Sequence, residues 1–122
     1  MRDPRRLKAF QLADALALKV YQATAAFPKE ETFGLKSQMR RSGVSIASNI
    51  VEGCTRHTQA DYLHFLDMAH GSAHELEYQA SLAQRLGYLG PQAAGPLLAA
   101  CAEVCKVLNG LIRALRAKNS GP

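Results

Sequence analysis

Four times along this chain, apolar residues return every third or fourth position, and proline or glycine stands at most of the joins. Such spacing keeps the apolar side chains on one face of an α-helix, and no stretch shows the period-two alternation of a strand. The first series runs Leu7, Phe10, Ala13, Ala17 and Val20, with Tyr21 beside it; Thr24 interrupts the line before Phe27, and Pro28 closes it. Lys29-Glu30-Glu31 then places acids beside the next helix start, where they complement its dipole, and Thr32 is the expected N-cap. In the second series Leu35, Met39, Gly43, Ile46, Ala47, Ile50, Val51 and Cys54 share one arc. Gly43 and Ala47 are small enough there to let a neighbouring helix approach closely. Thr58 with Asp61 three residues later resembles a capping box. Behind it Tyr62, Leu66, Ala69, Ala73, Leu76, Ala80 and Ala83 repeat as a heptad seam. Gly87 supplies a C-cap and Gly90-Pro91 a turn. The last seam is Leu97, Cys101, Val104, Leu108, Leu111 and Leu115, flanked by Leu98, Cys105 and Ile112. Pro96 is tolerated only in a first turn, which predicts either a helix start there or a kink after a looser turn at 91–94. The tail beyond Lys118 is expected to fray.

These segments predict helices over about 7–27, 32–56, 59–86 and 92–117, joined by short connectors. The expected fold is all-α, an antiparallel up-down-up-down four-helix bundle forming one domain over residues 1–122. At 122 residues, 48% of them apolar, the chain can build one core and not two. No unbroken apolar run approaches the ~18 residues of a membrane span, and the N-terminus leads into an amphipathic helix and not a signal-peptide core. A cytoplasmic location with no membrane partner is expected. Three cysteines, none in a Cys-x-x-Cys pair, give neither a disulfide framework nor a structural zinc pattern.

Fifteen Lys and Arg against ten Asp and Glu give a formal charge of +5, which favours polyanions through counterion release. Aromatic residues are sparse and tryptophan is absent, so contact with RNA or DNA would lean on phosphates and not on stacked bases. Alternating helices gather Arg2, Arg5, Arg6, Lys8, Arg56, Arg113, Arg116 and Lys118 at one pole. Only Asp3, Glu52 and Asp61 lie near them in this reading, which puts the whole excess of five at that end. The same residues could instead complement the dipole of the last helix and keep the termini soluble. Lys36, Arg40 and Arg41 form a second basic cluster nearer the other pole.

A polar stripe, Gln38, Ser42, Ser45, Asn49 and Glu52, runs beside the apolar arc of the second helix. Serine and asparagine are mediocre helix formers, so their repetition suggests close packing or hydrogen bonding to a neighbour. A subunit interface would explain it; a plain surface face is the alternative. For chemistry, His70 and His74 lie one turn apart with Asp67 and Glu77 on the same side, a spacing common by chance and short of the ligands that a closed metal site needs. Cys101 and Cys105 fall on the apolar side, where cysteine acts as a small hydrophobe. The serines lack a base, an oxyanion hole and a glycine-rich elbow. The expectation is a protein with no catalytic residues, no metal and no cofactor.

The run from Ser37 to Gly53, SQMRRSGVSIASNIVEG, resembles the signature of the four-helix proteins encoded within intervening sequences of bacterial 23S ribosomal RNA genes. Phe65-Leu66, the run from Ala69 to Glu77, Leu86-Gly87-Tyr88-Leu89 and the run from Leu108 to Ile112 resemble the same family, so the likeness spans nearly the whole chain. Ser37, Gln38, Arg40, Arg41, Ser45, Asn49, Glu52, Gly53, Gly71, Ser72 and Glu75 match its motif. Ala47 stands where that family often has proline, and His70 where arginine is common. The chain is also similar to the accessory protein of diversity-generating retroelements, a basic pentamer that binds nucleic acid and a reverse transcriptase. The resemblance implies a small bundle assembling as a homopentamer, suspected of binding RNA and without an established activity. Gly71 and Ser72 are expected to permit close helix approach, and Glu52 and Glu75 to pair with Arg40, Arg41 or Arg56. The resulting expectation is nucleic-acid binding, RNA first, through Arg2, Arg5, Arg6, Arg40, Arg41, Arg56, Arg113 and Arg116. The alternative is a scaffold for an unidentified protein.

Overall fold

A computed structural model describes residues 2–119, and among them four α-helices and no strand. They are α1 (Lys8–Thr24), α2 (Leu35–Cys54), α3 (Gln59–Arg85) and α4 (Pro91–Asn119). The expected fraying after Lys118 falls on residues 120–122, outside the described part. Each helix touches two others: α1 and α3 both pack against α2 and α4, and the α2–α3 contact is the most extensive. Buried side chains from all four helices merge into one hydrophobic cluster, centred on Leu16, Met39, Ile46, Ile50, Leu66, Leu76, Leu97 and Leu108. Most of the apolar residues read from the sequence therefore face inward, which makes this a helical bundle. Tyr21 and Val51, grouped with them in the sequence, are exposed, and Leu16, outside the first series, is in the core.

Local chemistry sets the helix ends. A short 3-10 turn, Pro4–Arg6, precedes α1, and the Asp3 carboxylate caps it by accepting from the Arg5 N–H at 3.0 Å. Thr58 caps α3 as expected, its hydroxyl accepting from the Asp61 N–H at 3.1 Å. Gly87 has φ 80° and follows α3, a left-handed position that glycine alone adopts without strain. The expected Thr32 cap is not formed. A second 3-10 turn, Lys29–Glu31, delays α2 to Leu35, and the Glu31 carboxylate takes the cap's part by accepting from the Leu35 N–H at 2.9 Å. The other oxygen of Glu31 accepts from the Tyr88 hydroxyl at 3.0 Å, which ties the first connector to the third. In α4, Pro91 is the first residue and Pro96 lies inside. Neither a start at Pro96 nor a looser turn before it occurs. Proline removes the N–H that would reach the Gln92 carbonyl, and both residues are exposed, where water can serve that carbonyl.

Two glycines set the spacing of α2. A Cβ on Gly43 would lie 3.4 Å from Val20 Cγ2, as its small size predicts, and one on Gly53 would lie 3.0 Å from Phe65 Cβ and 3.2 Å from Tyr62 Cδ1. Gly71, expected to mark a close approach, has open space at its Cβ position and is exposed. By length and composition Pro91–Lys118 would suffice to cross a membrane. Glu103, Lys106 and Arg113 interrupt its apolar residues, so it contains no long unbroken apolar run. Leu97, Cys101, Val104, Leu108 and Ile112 from that helix lie in the core, so its apolar face has a partner inside the bundle.

Candidate nucleic-acid interface

The chain start, the α2–α3 turn and the end of α4 meet at one end of the bundle. Arg2 Nη1 donates to the Arg56 carbonyl at 3.0 Å, the Gln59 side chain donates to the Leu115 carbonyl at 3.4 Å, and Arg116 Nη2 lies 2.7 Å from an Asp67 oxygen. Aromatic rings orient two of the guanidinium groups: Arg2 lies 3.9 Å above the Tyr62 ring, and Arg56 lies 4.4 Å above that of Phe65. Arg56 Nη2 sits 3.5 Å from Glu52, the pairing expected from the sequence, while its Nε is buried without an acceptor among the described residues. Arg2, Cys54, Thr55, Arg56 and His57 line a cleft of about 520 Å³ here. Arg5, held by Asp3 at 3.1 Å, is exposed, as are Arg6, Arg113 and Lys118. The Asp3 carboxyl is held below its usual range by hydrogen bonds from the Arg5 side chain and backbone.

The local charge is smaller than the sequence reading put it. Asp67 pairs with Arg116, and Glu103 lies 3.9 Å from Lys8, so five acids and not three stand here, against nine bases once Lys106, nearer the end of α4 than Glu103, is included. The excess at this end is therefore four of the total five. Both acids come from the middle of long helices, and their positions along the chain assign them elsewhere.

Arg40 and Arg41 are not brought to this end. They sit 14 and 13 positions before Cys54, the last residue of α2, so about 20 Å of helix at 1.5 Å per residue separates them from the turn that carries Arg56. Arg40 is fixed against α1: its Nε donates to the Thr24 hydroxyl at 2.9 Å, its Nη2 to the Tyr21 carbonyl at 3.2 Å, and its guanidinium lies 4.3 Å above the Tyr21 ring. Thr24, which looks like a break in the apolar line of α1, is fully buried. Its own hydroxyl donates to the Val20 carbonyl at 2.8 Å.

The Ser/Asn stripe faces α3 of the same chain. Ser42 donates to Glu75 at 3.0 Å, the Ser45 and Ser72 hydroxyls are 3.0 Å apart, and Asn49 donates to the Ser45 carbonyl at 2.9 Å. Ser42 and Asn49 are buried within the single chain, while Gln38 and Glu52, at the ends of the stripe, are exposed. The buried part of the stripe thus meets its neighbour inside the chain, while Gln38, Glu52 and the half-buried Ser45 keep exposed surface. Within the chain Glu75 takes Ser42 and the Gln79 amide, at 3.3 Å, so a pairing with Arg40, Arg41 or Arg56 would have to be made between subunits.

The groups with possible chemistry are dispersed. The His70 and His74 rings meet edge to face at 4.6 Å, His74 lies 3.9 Å from Glu77, and no three ligating side chains converge among the described residues. Burial, and then the nearby His74, lower the pKa of His70. All three cysteines are buried and unbridged. Burial pushes the Cys101 thiol up to about 12 and Cys105 to about 11, so neither is a thiolate near neutrality.

The family model of the 23S rRNA-intervening sequence protein matches residues 5–110, which takes in all of α1, α2 and α3 and most of α4. The chain belongs to this family. A crystal structure from Bacteroides thetaiotaomicron, described as a protein with unknown function from the S23 ribosomal protein family, superposes with a TM-score of 0.79. It is 24% identical over 86% of this chain and 95% of the other, a likeness that establishes a shared fold. Among curated proteins, none is detectably similar in sequence. The 23S rRNA-intervening sequence match includes Arg5, Arg6, Arg40, Arg41 and Arg56, and leaves out Arg2, Arg113 and Arg116.

Proposed function

We propose that this member of the 23S rRNA-intervening sequence family is a non-enzymatic, oligomeric binding protein of the cytoplasm that holds nucleic acid, RNA in preference to DNA, at its basic end. The observation that carries the reading is the pair Arg2 and Arg56, both held over aromatic rings beside exposed Arg5, Arg6 and Arg113. Side chains immobilised before a ligand arrives lose less entropy when they bind it. Arginine geometry suits phosphate oxygens. The helices are read as antiparallel, up-down-up-down, a reading supported by the falling order of partners on α3 (Glu75, Ser72, Phe65) as α2 advances through Ser42, Ser45 and Gly53. A homopentamer, implied by the family likeness, would set several basic ends side by side. Exposed Leu18, Val44 and Val51, each more than 40% accessible in the single chain, offer apolar surface for subunit contact.

Fluorescence anisotropy with a structured RNA tests the reading. Binding should weaken steeply with salt, and replacing Arg2, Arg5, Arg6 and Arg113 with Gln should flatten the dependence by a slope of roughly 0.7–0.9 for each phosphate no longer neutralised. Affinity unmeasurable at low ionic strength, or unchanged in the substituted protein, refutes it. Phe33, 96% exposed on the first connector, favours a second reading, a scaffold for a protein partner without direct nucleic-acid contact. Recovery of one defined protein after nuclease treatment, abolished by Phe33→Ser, would establish that alternative.

A further inference from the structure

The groove between α1 and the start of α2 is built differently from the basic end. Tyr21, Thr32, Lys36, Ser37, Arg40 and Arg41 line a cleft of about 480 Å³, so three cations and two aliphatic hydroxyls face one space with no carboxylate in its wall. Glu31 on the connector is engaged elsewhere, one oxygen on the Leu35 N–H and the other on the Tyr88 hydroxyl. Arg40 has no acidic partner within ion-pairing distance among the described residues. Two hydrogen bonds to α1 and the Tyr21 ring hold it in place. Lys36 and Arg40 are one helical turn apart, as are Ser37 and Arg41, which puts two donor pairs along one edge of the groove.

Positive charges left without counter-charges beside hydroxyl donors make a receptor for an oxyanion. Guanidinium and ammonium groups supply charge-assisted bonds to its oxygens, and the serine and threonine hydroxyls accommodate those that remain. We propose that this groove is a second anion site, separate from the basic end, which takes a phosphate group. That phosphate is either free, as inorganic phosphate or a mononucleotide, or one link of a polynucleotide backbone. About 20 Å of α2 separates Arg40 from Cys54 at the basic end, so the site does not depend on whether that end binds RNA.

Titration of the full-length protein with inorganic phosphate at constant ionic strength, followed by NMR of the arginine Nε–Hε groups and the α2 amides, reads this directly. The Arg40 and Arg41 signals and the Ser37 amide should shift and saturate, with half-saturation on the order of millimolar. Lys36→Gln and Arg41→Gln, both on the surface and outside the Arg40 anchor, should each weaken the effect by about tenfold, the scale of one charge-assisted bond. Lys106→Gln on α4 removes the same charge elsewhere and should leave it unchanged. Shifts that grow without saturating, or that are equal in all three variants, overturn the proposal. Uridine 5′-monophosphate and oligouridylate titrated in the same way distinguish the free from the polymeric source. If RNA affinity depends on Arg2 and Arg5 but phosphate never saturates the groove, the basic-end reading stands and this one falls. If phosphate saturates the groove while no RNA binds, the reverse holds.

Discussion

At the scale of single residues, the two glycines that look alike in the motif behave in opposite ways. Gly53→Ala would drive a methyl group into Phe65 Cβ at 3.0 Å and Tyr62 Cδ1 at 3.2 Å, and should destabilise the protein by about 1–3 kcal/mol in urea unfolding. Those same rings seat Arg56 and Arg2, so RNA affinity should fall with it. Gly71→Ala meets nothing within 4 Å on an exposed helical face, and should stabilise by up to about 1 kcal/mol. Titration of the core thiols gives a second prediction. In the unfolded chain Cys101 and Cys105 ionise near the usual 9.0, whereas in the fold burial raises them to about 12 and about 11. The folded state holds these protons more tightly, so their contribution is intact below pH 9 and is lost as pH rises toward 11 and 12. Replacing both with Val should lessen that alkaline loss in denaturant titrations at pH 8 and pH 10. What the sequence could not reveal at this scale is contact across helices. Tyr62 was legible as a seam residue but not as the seat of Arg2, and Thr24 looked like a flaw because its partner, Arg40, is 16 positions away.

Among the elements, α2 and α3 are joined by hydroxyls as well as by apolar packing. The Ser45–Ser72 contact of 3.0 Å, supported by Asn49, is half-buried, so deleting one hydroxyl leaves the other short of a partner. A double-mutant cycle with Ser45→Ala and Ser72→Ala should give a coupling of about 1 kcal/mol, with the double variant less damaged than the two single losses together imply. Zero coupling would mean that the hydroxyls are independently solvated. Helix identity and order were readable because the 3–4 apolar period survives in every segment, and α3 was placed within a residue or so by Thr58 and Gly87. The start of α2 was not. Its cap comes from a glutamate four residues before Leu35 and not from the expected threonine, and a 3-10 turn carries no periodic signal of its own. The stripe was readable as a contact surface, while its direction was not, because a helix on the same chain and one on a second subunit require the same small polar residues.

For the whole molecule, charge is arranged in two places: four excess bases at one end, and Lys36, Arg40 and Arg41 toward the other end of α2. Summing charges along the chain could place neither Asp67 nor Glu103, since each meets a base contributed by another helix. Assembly is testable at this scale. Light scattering should give a mass near 66 kDa, five copies of 13.2 kDa, and a monomer at all micromolar concentrations would contradict the pentamer. Disruption by charge at Val44 or Val51, with Ser45→Ala leaving the mass unchanged, would place the contact on the exposed face of α2 and away from the stripe. The buried, protonated thiols of Cys101 and Cys105 have a practical consequence for such work: they stay silent to maleimides near neutral pH, which leaves Cys54, in the wall of the basic-end cleft, as the one to replace. In a Cys54→Ala background, one cysteine introduced on the surface would be the sole reactive handle, so dyes or spin labels could report distances between subunits.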